Sequence, residues 1–199
     1  MSSYRLKPAV SRYWWFALFG AAAIIMIIPL VLNYFVPKVE RMEQVELRMT
    51  GVEWKIPLDM ECLDQSDIIN GDFWSCPEGN IQTIVVEGGT DPERTLRRMM
   101  RALTMFFPPE EAPVWEDGDA RMLIDDRRGN VGISLEGSGE QENLTMVVVL
   151  PTGPDALPLV NEVWGELSGG MELPWFIEDE IYYLEPGTPW DVPAERVAL

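Results

Sequence analysis

Residues 13–37 form a stretch of 25 residues without a charged side chain, and the centre of this stretch reads FALFGAAAIIMIIPLVL. As a helix with a rise of about 1.5 Å per residue it would extend over roughly 37 Å, more than the ~30 Å hydrocarbon layer of a bilayer. Aromatic residues stand at both ends of the stretch, as is typical of the membrane interface. The sequence therefore predicts a single N-terminal transmembrane helix over residues 13–37. A run of this length is too long for a cleaved signal peptide, so we expect it to be retained.

The flanks of this segment predict its orientation. Residues 1–12 contain three basic residues and no acidic residue, which favours a cytoplasmic tail and places the rest of the chain outside the cytoplasm. Within the segment, Ala17, Gly20 and Ala21 present small side chains on one helical face. In lipid, such a face lets a second helix approach closely, so these residues are the predicted packing contacts with integral membrane protein subunits. The alternative is that alanine is simply common in membrane helices.

The rest of the chain is strongly acidic. All 33 Asp and Glu lie in residues 38–199 together with 12 of the 15 Lys and Arg, so this part carries a net charge of −21. Phosphate backbones repel such a polyanion, which argues against nucleic acid as a partner. The chain has no histidine, which excludes Ser–His and Cys–His catalysis and His-ligated zinc or haem. We predict a non-enzymatic protein without a cofactor.

Hydrophobic periodicity over residues 38–170 predicts one extracytoplasmic α+β domain. One strand, bent or split in two, is predicted over residues 45–59, and further strands over residues 81–89, 120–126, 131–137 and 144–151. One helix is expected to begin at Pro92 behind a cap at Asp91 or Thr90, and a second to follow a cap at Asp155. This order suits an antiparallel or mixed sheet with two helices on one face.

Cys62 and Cys76 are the only cysteines, and they form neither a C-x-x-C redox pair nor a complete metal ligand set. We predict a structural disulfide between them. Closing a ~15-residue loop in this way contributes on the order of 3 kcal/mol in the chain-entropy model. A disulfide also fits an oxidising space outside the cytoplasm. The alternative is two unrelated buried thiols.

A cationic stripe stands out in this acidic domain. Arg94, Arg97, Arg98 and Arg101 recur at helical spacing, opposite the apolar face of the first predicted helix. One interpretation is pairing with the surplus acids of the same domain. The other is contact with anionic lipid headgroups of the bilayer or with an acidic partner.

The acidic side chains also cluster along the chain, and adjacent carboxylates can hold calcium or carry acid–base chemistry. None of the clusters has EF-hand spacing, and neighbouring acids mostly lie on solvated turns.

Residues 171–199 form an aromatic and proline-rich C-terminal tail. Its proline content predicts an extended path, and its aromatic side chains need a surface to pack against. The tail either wraps its own domain or docks on a partner, in which case Trp175, Phe176 and Trp190 are the candidate contacts.

A short basic tail, one apolar segment and an acidic domain with one cysteine pair resemble the small single-pass envelope proteins of actinobacteria. Among these, the chain is similar in size and layout to accessory subunits of the respiratory supercomplex, which joins the cytochrome bc complex to a terminal oxidase. The resemblance implies a structural or assembly role beside a redox complex. It covers the whole chain, rests on layout, and carries no functional residues across.

The sequence therefore predicts a non-catalytic accessory subunit of an integral membrane complex, located at the cell membrane. The alternative is a membrane-tethered binding module for envelope lipid or lipoprotein traffic. Its support is the arginine stripe together with Met99, Met100 and Met105, because methionines adapt to irregular apolar ligands. A hydrolase that uses two carboxylates is the third hypothesis.

Overall fold

The computed structural model describes residues 12–35, 42–66 and 72–186. The chain separates into two compact units, Met1–Glu40 and Arg41–Leu199. In the first unit the described residues form one helix, α1, over Arg12–Phe35. The basic residues Arg5 and Lys7 of the predicted cytoplasmic tail lie outside the described residues, and so does the predicted contact Trp190.

In the second unit the described residues form an antiparallel sheet of eight strands in the order β1-β2-β3-β4-β8-β7-β6-β5, together with three helices. The strands are β1 (Met42–Leu47), β2 (Ile56–Asp64), β3 (Asp72–Cys76), β4 (Gly79–Glu87), β5 (Val114–Asp117), β6 (Ala120–Asp125), β7 (Asn130–Glu136) and β8 (Leu144–Pro151). The helices are α2 (Pro92–Thr104), α3 (Leu157–Ser168) and α4 (Trp175–Tyr183), with a short 3-10 turn at Gly139–Gln141.

The sheet consists of two four-stranded meanders that meet at its centre. The first runs β1 to β4, and the second runs β5 to β8. The chain passes from β4 through α2 to the far edge strand β5 and then returns strand by strand until β8 pairs with β4. The central pair aligns Ile84 with Val147 and Gln82 with Val149.

Helices cover both faces of the sheet. On β8, Val147 and Val149 pack with Leu96 and Met100 of α2. The intervening residues of β8, which are Met146, Val148 and Leu150, pack into the larger core with α3 and α4. A strand that is buried on both faces reads as a continuous apolar run, and LTMVVVLP is such a run.

α2 begins where its sequence predicts. The Asp91 side chain accepts a hydrogen bond from the Arg94 backbone N–H at 3.0 Å, and Pro92 occupies the first turn. The helix ends at Met105, which adopts a left-handed conformation with φ of 65°. Phe107 lies beyond the end of the helix and is exposed.

The predicted disulfide is confirmed. Leu63 of β2 pairs with Ser75 of β3, and the same register extended by one residue places Cys62 opposite Cys76, with 4.7 Å between their Cα atoms. Cys62 is buried in the larger core, so the bond joins two adjacent strands from within. It ties the β2–β3 pair beside the edge strand β1.

The predicted transmembrane helix is not supported. Among the residues that the structure describes, no helix has both the length and the apolar character that crossing a membrane requires. The fold class is therefore α+β with an antiparallel sheet, without a demonstrated membrane span.

Three further expectations about the domain were wrong. The helices lie on both faces of the sheet and not on one, because β8 presents apolar side chains to both faces. α3 has Ala156 at its N-cap without a side-chain hydrogen bond, so Asp155 does not cap it. The start of the predicted extended tail is helical, since α4 forms directly after Pro174.

A glycine on β7 sets how closely α2 approaches the sheet. A Cβ atom built on Gly132 would lie 2.4 Å from Sδ and 2.6 Å from Cγ of Met100, whose side chain is fully buried. We expect Gly132→Ala to lower the free energy of unfolding by about 1–3 kcal/mol, because the added methyl group overpacks this contact. Urea denaturation followed by circular dichroism measures the change.

The matched control is Gly165→Ala on α3, where a Cβ atom meets nothing within 4 Å. This substitution should raise the free energy of unfolding by roughly 0.5–1 kcal/mol, because alanine is the better helix former. Equal behaviour of the two variants would show that α2 does not pack tightly over Gly132.

Reduction of the Cys62–Cys76 bond should lower the free energy of unfolding by about 3 kcal/mol, because the unfolded chain regains the freedom of a ~15-residue loop. Urea denaturation with and without dithiothreitol measures this loss. A variant with both cysteines replaced by alanine should not respond to dithiothreitol. If the wild-type protein is equally insensitive, the bond does not stabilise the fold.

Candidate functional site

The four arginines of the predicted cationic stripe have different environments. Arg97 is largely buried and donates hydrogen bonds of 2.6 Å to the carbonyl oxygens of Pro109 and Ala112, besides an ion pair with Glu93 at 2.9 Å. It therefore fastens the segment after α2 and is not available to a partner. Arg94, Arg98 and Arg101 are exposed.

Arg101 stacks on Phe107, with its guanidinium carbon 3.8 Å from the ring centroid. Within the described part of the chain, no salt bridge joins Arg94 or Arg98 to an acid. The outer surface of α2 is therefore cationic in a chain with a net charge of −18.

On the opposite face of the sheet, α4 carries a set of exposed aromatic side chains. Ile177 and Ile181 are buried and hold the helix against the core, whereas the residues beside them point outward. The exposed fractions are 73% for Trp175, 46% for Phe176, 47% for Tyr182 and 80% for Tyr183. With the exposed Asp179 at their centre, these five residues recur at i, i+1, i+4, i+7 and i+8 and form one helical face, here named the α4 aromatic face.

The aromatic side chains of this face are arranged in two pairs. Trp175 meets Phe176 edge to face with 6.0 Å between ring centroids, and Tyr182 meets Tyr183 in the same way at 5.2 Å. Such pairs are favourable, so the rings support one another without cover from the domain.

An open groove of about 630 Å³ lies between α3 and the start of α4. Its lining combines small, apolar and acidic residues: Asn161, Gly165, Gly170, Met171, Glu172, Leu173, Trp175 and Glu178. Asn161 donates a hydrogen bond of 3.2 Å to Glu178, which fixes one wall. Trp175 belongs both to this groove and to the α4 aromatic face, so the two surfaces are continuous.

The charge around α4 has one sign. Residues 129–186 contain eleven Asp and Glu and no Lys or Arg over 58 consecutive positions. This run includes β7, β8, α3 and α4. The layer that carries the aromatic face is therefore purely anionic, whereas α2 on the other face of the sheet is cationic.

Acidic groups from two elements approach one another at α4. Burial raises the pKa of Glu180, and the carboxylate of Asp126, in the turn between β6 and β7, raises it further. Asp126 therefore lies close enough to α4 to act on Glu180, although the same turn also carries Arg127 and Arg128.

A second cleft lies at the C-terminal end of α2. It holds about 50 Å³, room for a few water molecules, and is much smaller than a typical small-molecule site. Its lining includes the polar residues Asn80, Gln82, Thr104, Asn130 and Arg128, and the guanidinium carbon of Arg128 lies 3.6 Å from the Phe106 ring centroid.

The polar cluster around Arg48 is structural. Arg48 forms an ion pair with Asp64 at 2.9 Å, lies 3.6 Å from Asp72 and sits over the buried Trp74 ring at 5.5 Å. Asp72 is buried and accepts a hydrogen bond from the Thr50 backbone N–H at 2.7 Å. These contacts hold the loop after β1 against β3.

The remaining predicted contacts are the small residues of the N-terminal helix. Ala17, Gly20 and Ala21 are on α1 and are exposed. In the ranges that the structure describes, no three His, Cys, Asp or Glu side chains group closely enough to hold a metal ion.

Sequence reasoning singled out Trp175 and Phe176 but missed Tyr182 and Tyr183 as their partners on one face. The seven-residue spacing between the two pairs was the available signal, because residues seven apart lie on the same side of a helix. The absence of basic residues over positions 129–186 was also visible in the sequence.

Comparison with protein-family models, curated proteins and solved structures finds no match to this chain.

Asp125 is a buried carboxylate, and its Oδ1 atom has no hydrogen-bond partner. Burial raises the pKa of Asp125, more than the backbone N–H groups of Arg127 and Arg128 lower it. The folded state therefore binds this proton more tightly than the unfolded state, so stability is lost as the pH rises from the unfolded pKa, about 3.9, through the folded pKa.

We expect Asp125→Asn to raise the free energy of unfolding at pH 7 by about 1 kcal/mol, because no buried charge remains. The gain should vanish near pH 3.5, where the aspartic acid is protonated in both states. Urea denaturation at several pH values measures it. A variant that is destabilised equally at every pH would mean that the side-chain amide fits the site poorly and that ionisation is irrelevant.

Proposed function

We propose that this chain is a non-catalytic accessory subunit that attaches to a larger membrane protein complex. The layout that it shares with accessory subunits of the actinobacterial respiratory supercomplex makes such a supercomplex the candidate partner. The domain of residues 42–186 then stands outside the cytoplasm, beside the complex.

The observation that carries this proposal is the exposed apolar surface of α1. Every side chain described on this helix, over residues 14–28, is exposed, including Phe16 at 68%, Ile25 at 69% and Met26 at 74%. Contiguous apolar surfaces of this kind mark contact sites, because water is a poor solvent for them. A partner with an apolar surface of its own, as integral membrane proteins have, would bury them.

Two features of the chain support the remaining parts of the proposal. The Cys62–Cys76 disulfide is stable in an oxidising compartment, which supports an extracytoplasmic domain. The chain has no histidine, and the disulfide occupies both cysteines, so two of the commonest catalytic groups are not available. A structural role requires only contact surfaces, which this chain has.

The proposal predicts that the full chain, carrying a C-terminal tag, is recovered from its own membranes in mild detergent together with a larger complex. Ala21→Trp should reduce the recovered complex at least tenfold, because a bulky ring on the small-residue face of α1 prevents close helix approach. The amount of complex for each amount of tagged chain, measured by quantitative mass spectrometry, reports this change.

Met26→Trp is the matched control. Met26 is exposed and follows Ala17 by nine positions, which at about 100° per residue places it on the opposite side of α1. This variant should keep recovery within twofold of the wild type. Recovery of the wild-type chain only as a free monomer contradicts the proposal. A stoichiometric lipid found by native mass spectrometry, without a protein partner, would favour the lipid-binding alternative.

A further inference from the structure

The α4 aromatic face is rigidly presented by the domain. Ile177 and Ile181 are at most 1% exposed, and the Ile181 carbonyl oxygen accepts a hydrogen bond of 2.9 Å from the Gly153 N–H. Just past the helix, the Glu185 carbonyl oxygen accepts a hydrogen bond of 2.9 Å from the Thr152 hydroxyl. Both hydrogen-bond donors, Gly153 and Thr152, belong to the loop after β8. These contacts fix the orientation of α4, so its aromatic rings point outward from the domain.

Exposed aromatics in such an arrangement are costly unless a partner covers them. Trp175 and Tyr183 are 73% and 80% exposed, and they stand at the two ends of one nine-residue helix. Tryptophan and tyrosine are the side chains most enriched at the energetic centres of protein interfaces. The α4 aromatic face therefore has the composition of an interface centre with no cover in this chain's described part.

The charge of the surroundings selects the partner. Glu178, Asp179 and Glu180 lie on α4 itself, and no basic residue occurs between positions 129 and 186. Three arginine–aromatic stacks occur among the described residues, on Trp74, Phe106 and Phe107, and none of them involves α4. The rings of α4 are therefore free to stack with a cation from outside. The carboxylates beside them have no basic residue in the same helix layer.

We propose that the α4 aromatic face is a docking site for a basic segment of a partner protein, in which Arg or Lys alternates with apolar side chains. The cations of the segment stack on the four rings and pair with Asp179, while its apolar side chains enter the groove beside Trp175. A single cation–π contact is weak, but several together suffice for a specific contact. The net charge of −18 steers such a segment toward the chain.

The same surface fits other occupants less well. Anionic lipid headgroups meet only carboxylates there, so they are repelled. A second copy of this chain could offer the exposed Arg94, Arg98 and Arg101 of its α2, in a head-to-tail contact. The experiment below separates that arrangement from a basic segment of another protein.

The test uses the full chain in mild detergent at about 0.15 M salt, where the Debye length is near 8 Å and diffuse attraction is damped. The probes are two synthetic peptides of 14 residues with the same leucine and alanine content, one with four arginines and one with four glutamates. We expect the arginine peptide to bind, measured by biolayer interferometry, and the glutamate peptide not to bind. The double variant Trp175→Ser/Tyr183→Ser should weaken binding of the arginine peptide at least tenfold.

Two variants of equal charge change test the site. Asp179→Lys should weaken binding of the arginine peptide at least tenfold. Glu166→Lys, at an exposed position on α3, should weaken this binding less than threefold. All substituted residues are exposed, and circular dichroism checks that each variant folds. An equal loss for both lysine variants would mean diffuse attraction to an acidic surface and would overturn the proposal, as would equal binding of the two peptides.

Self-association provides the third readout. The full chain alone can be tested for oligomers by analytical ultracentrifugation. If it forms oligomers and both Arg98→Glu and Asp179→Lys dissociate them, the α4 aromatic face binds a second copy of this chain and the proposal is overturned. The inference deepens the proposed function and rests on it only in supposing a protein partner. The two fail separately, because the α1 variants report attachment to the complex and the α4 variants report peptide binding.

Discussion

The pairing of β4 with β8 is the contact on which the rest of the domain depends. It joins two meanders that would otherwise be separate four-stranded sheets. Because β8 is apolar on both sides, each face of the joined sheet needs its own cover. α2 covers one face and α3 with α4 covers the other, so the alternating core of one strand sets the positions of three helices.

This layering also separates the charges of the domain. α2 presents Arg94, Arg98 and Arg101 on one side of the sheet, while the described helices on the other side carry only acids. A sheet with its two helix layers keeps these surfaces far enough apart that they cannot neutralise one another directly, and salt screens what remains. The result is a domain that offers a cationic and an anionic surface in opposite directions, although its composition is simply acidic.

The sequence was a reliable guide where one local signal was sufficient. Asp91 and Pro92 fixed the start of α2, and the run LTMVVVLP identified β8. β3 was missed because two of its five residues are polar and because it is buried by distant parts of the chain, which include β2, β4 and the loop after β1. α4 was missed because the surrounding prolines predict an extended path, although Pro174 stands at the N-cap, where proline does not oppose a helix. The face of the sheet that α2 covers depends on the long-range pairing of β8 with β4, and no local sequence pattern predicts that pairing.

The proposals for α1 and α4 involve two surfaces of different chemistry on one chain. An apolar helix gains from any apolar partner, so it supplies affinity without much selectivity. The α4 aromatic face selects by charge and by ring geometry, so it supplies selectivity at a modest affinity of its own. When both contacts fall on the same complex, the second forms at the effective concentration that the first creates, and the joint affinity exceeds either one. A small subunit can then be held firmly although neither surface alone is large.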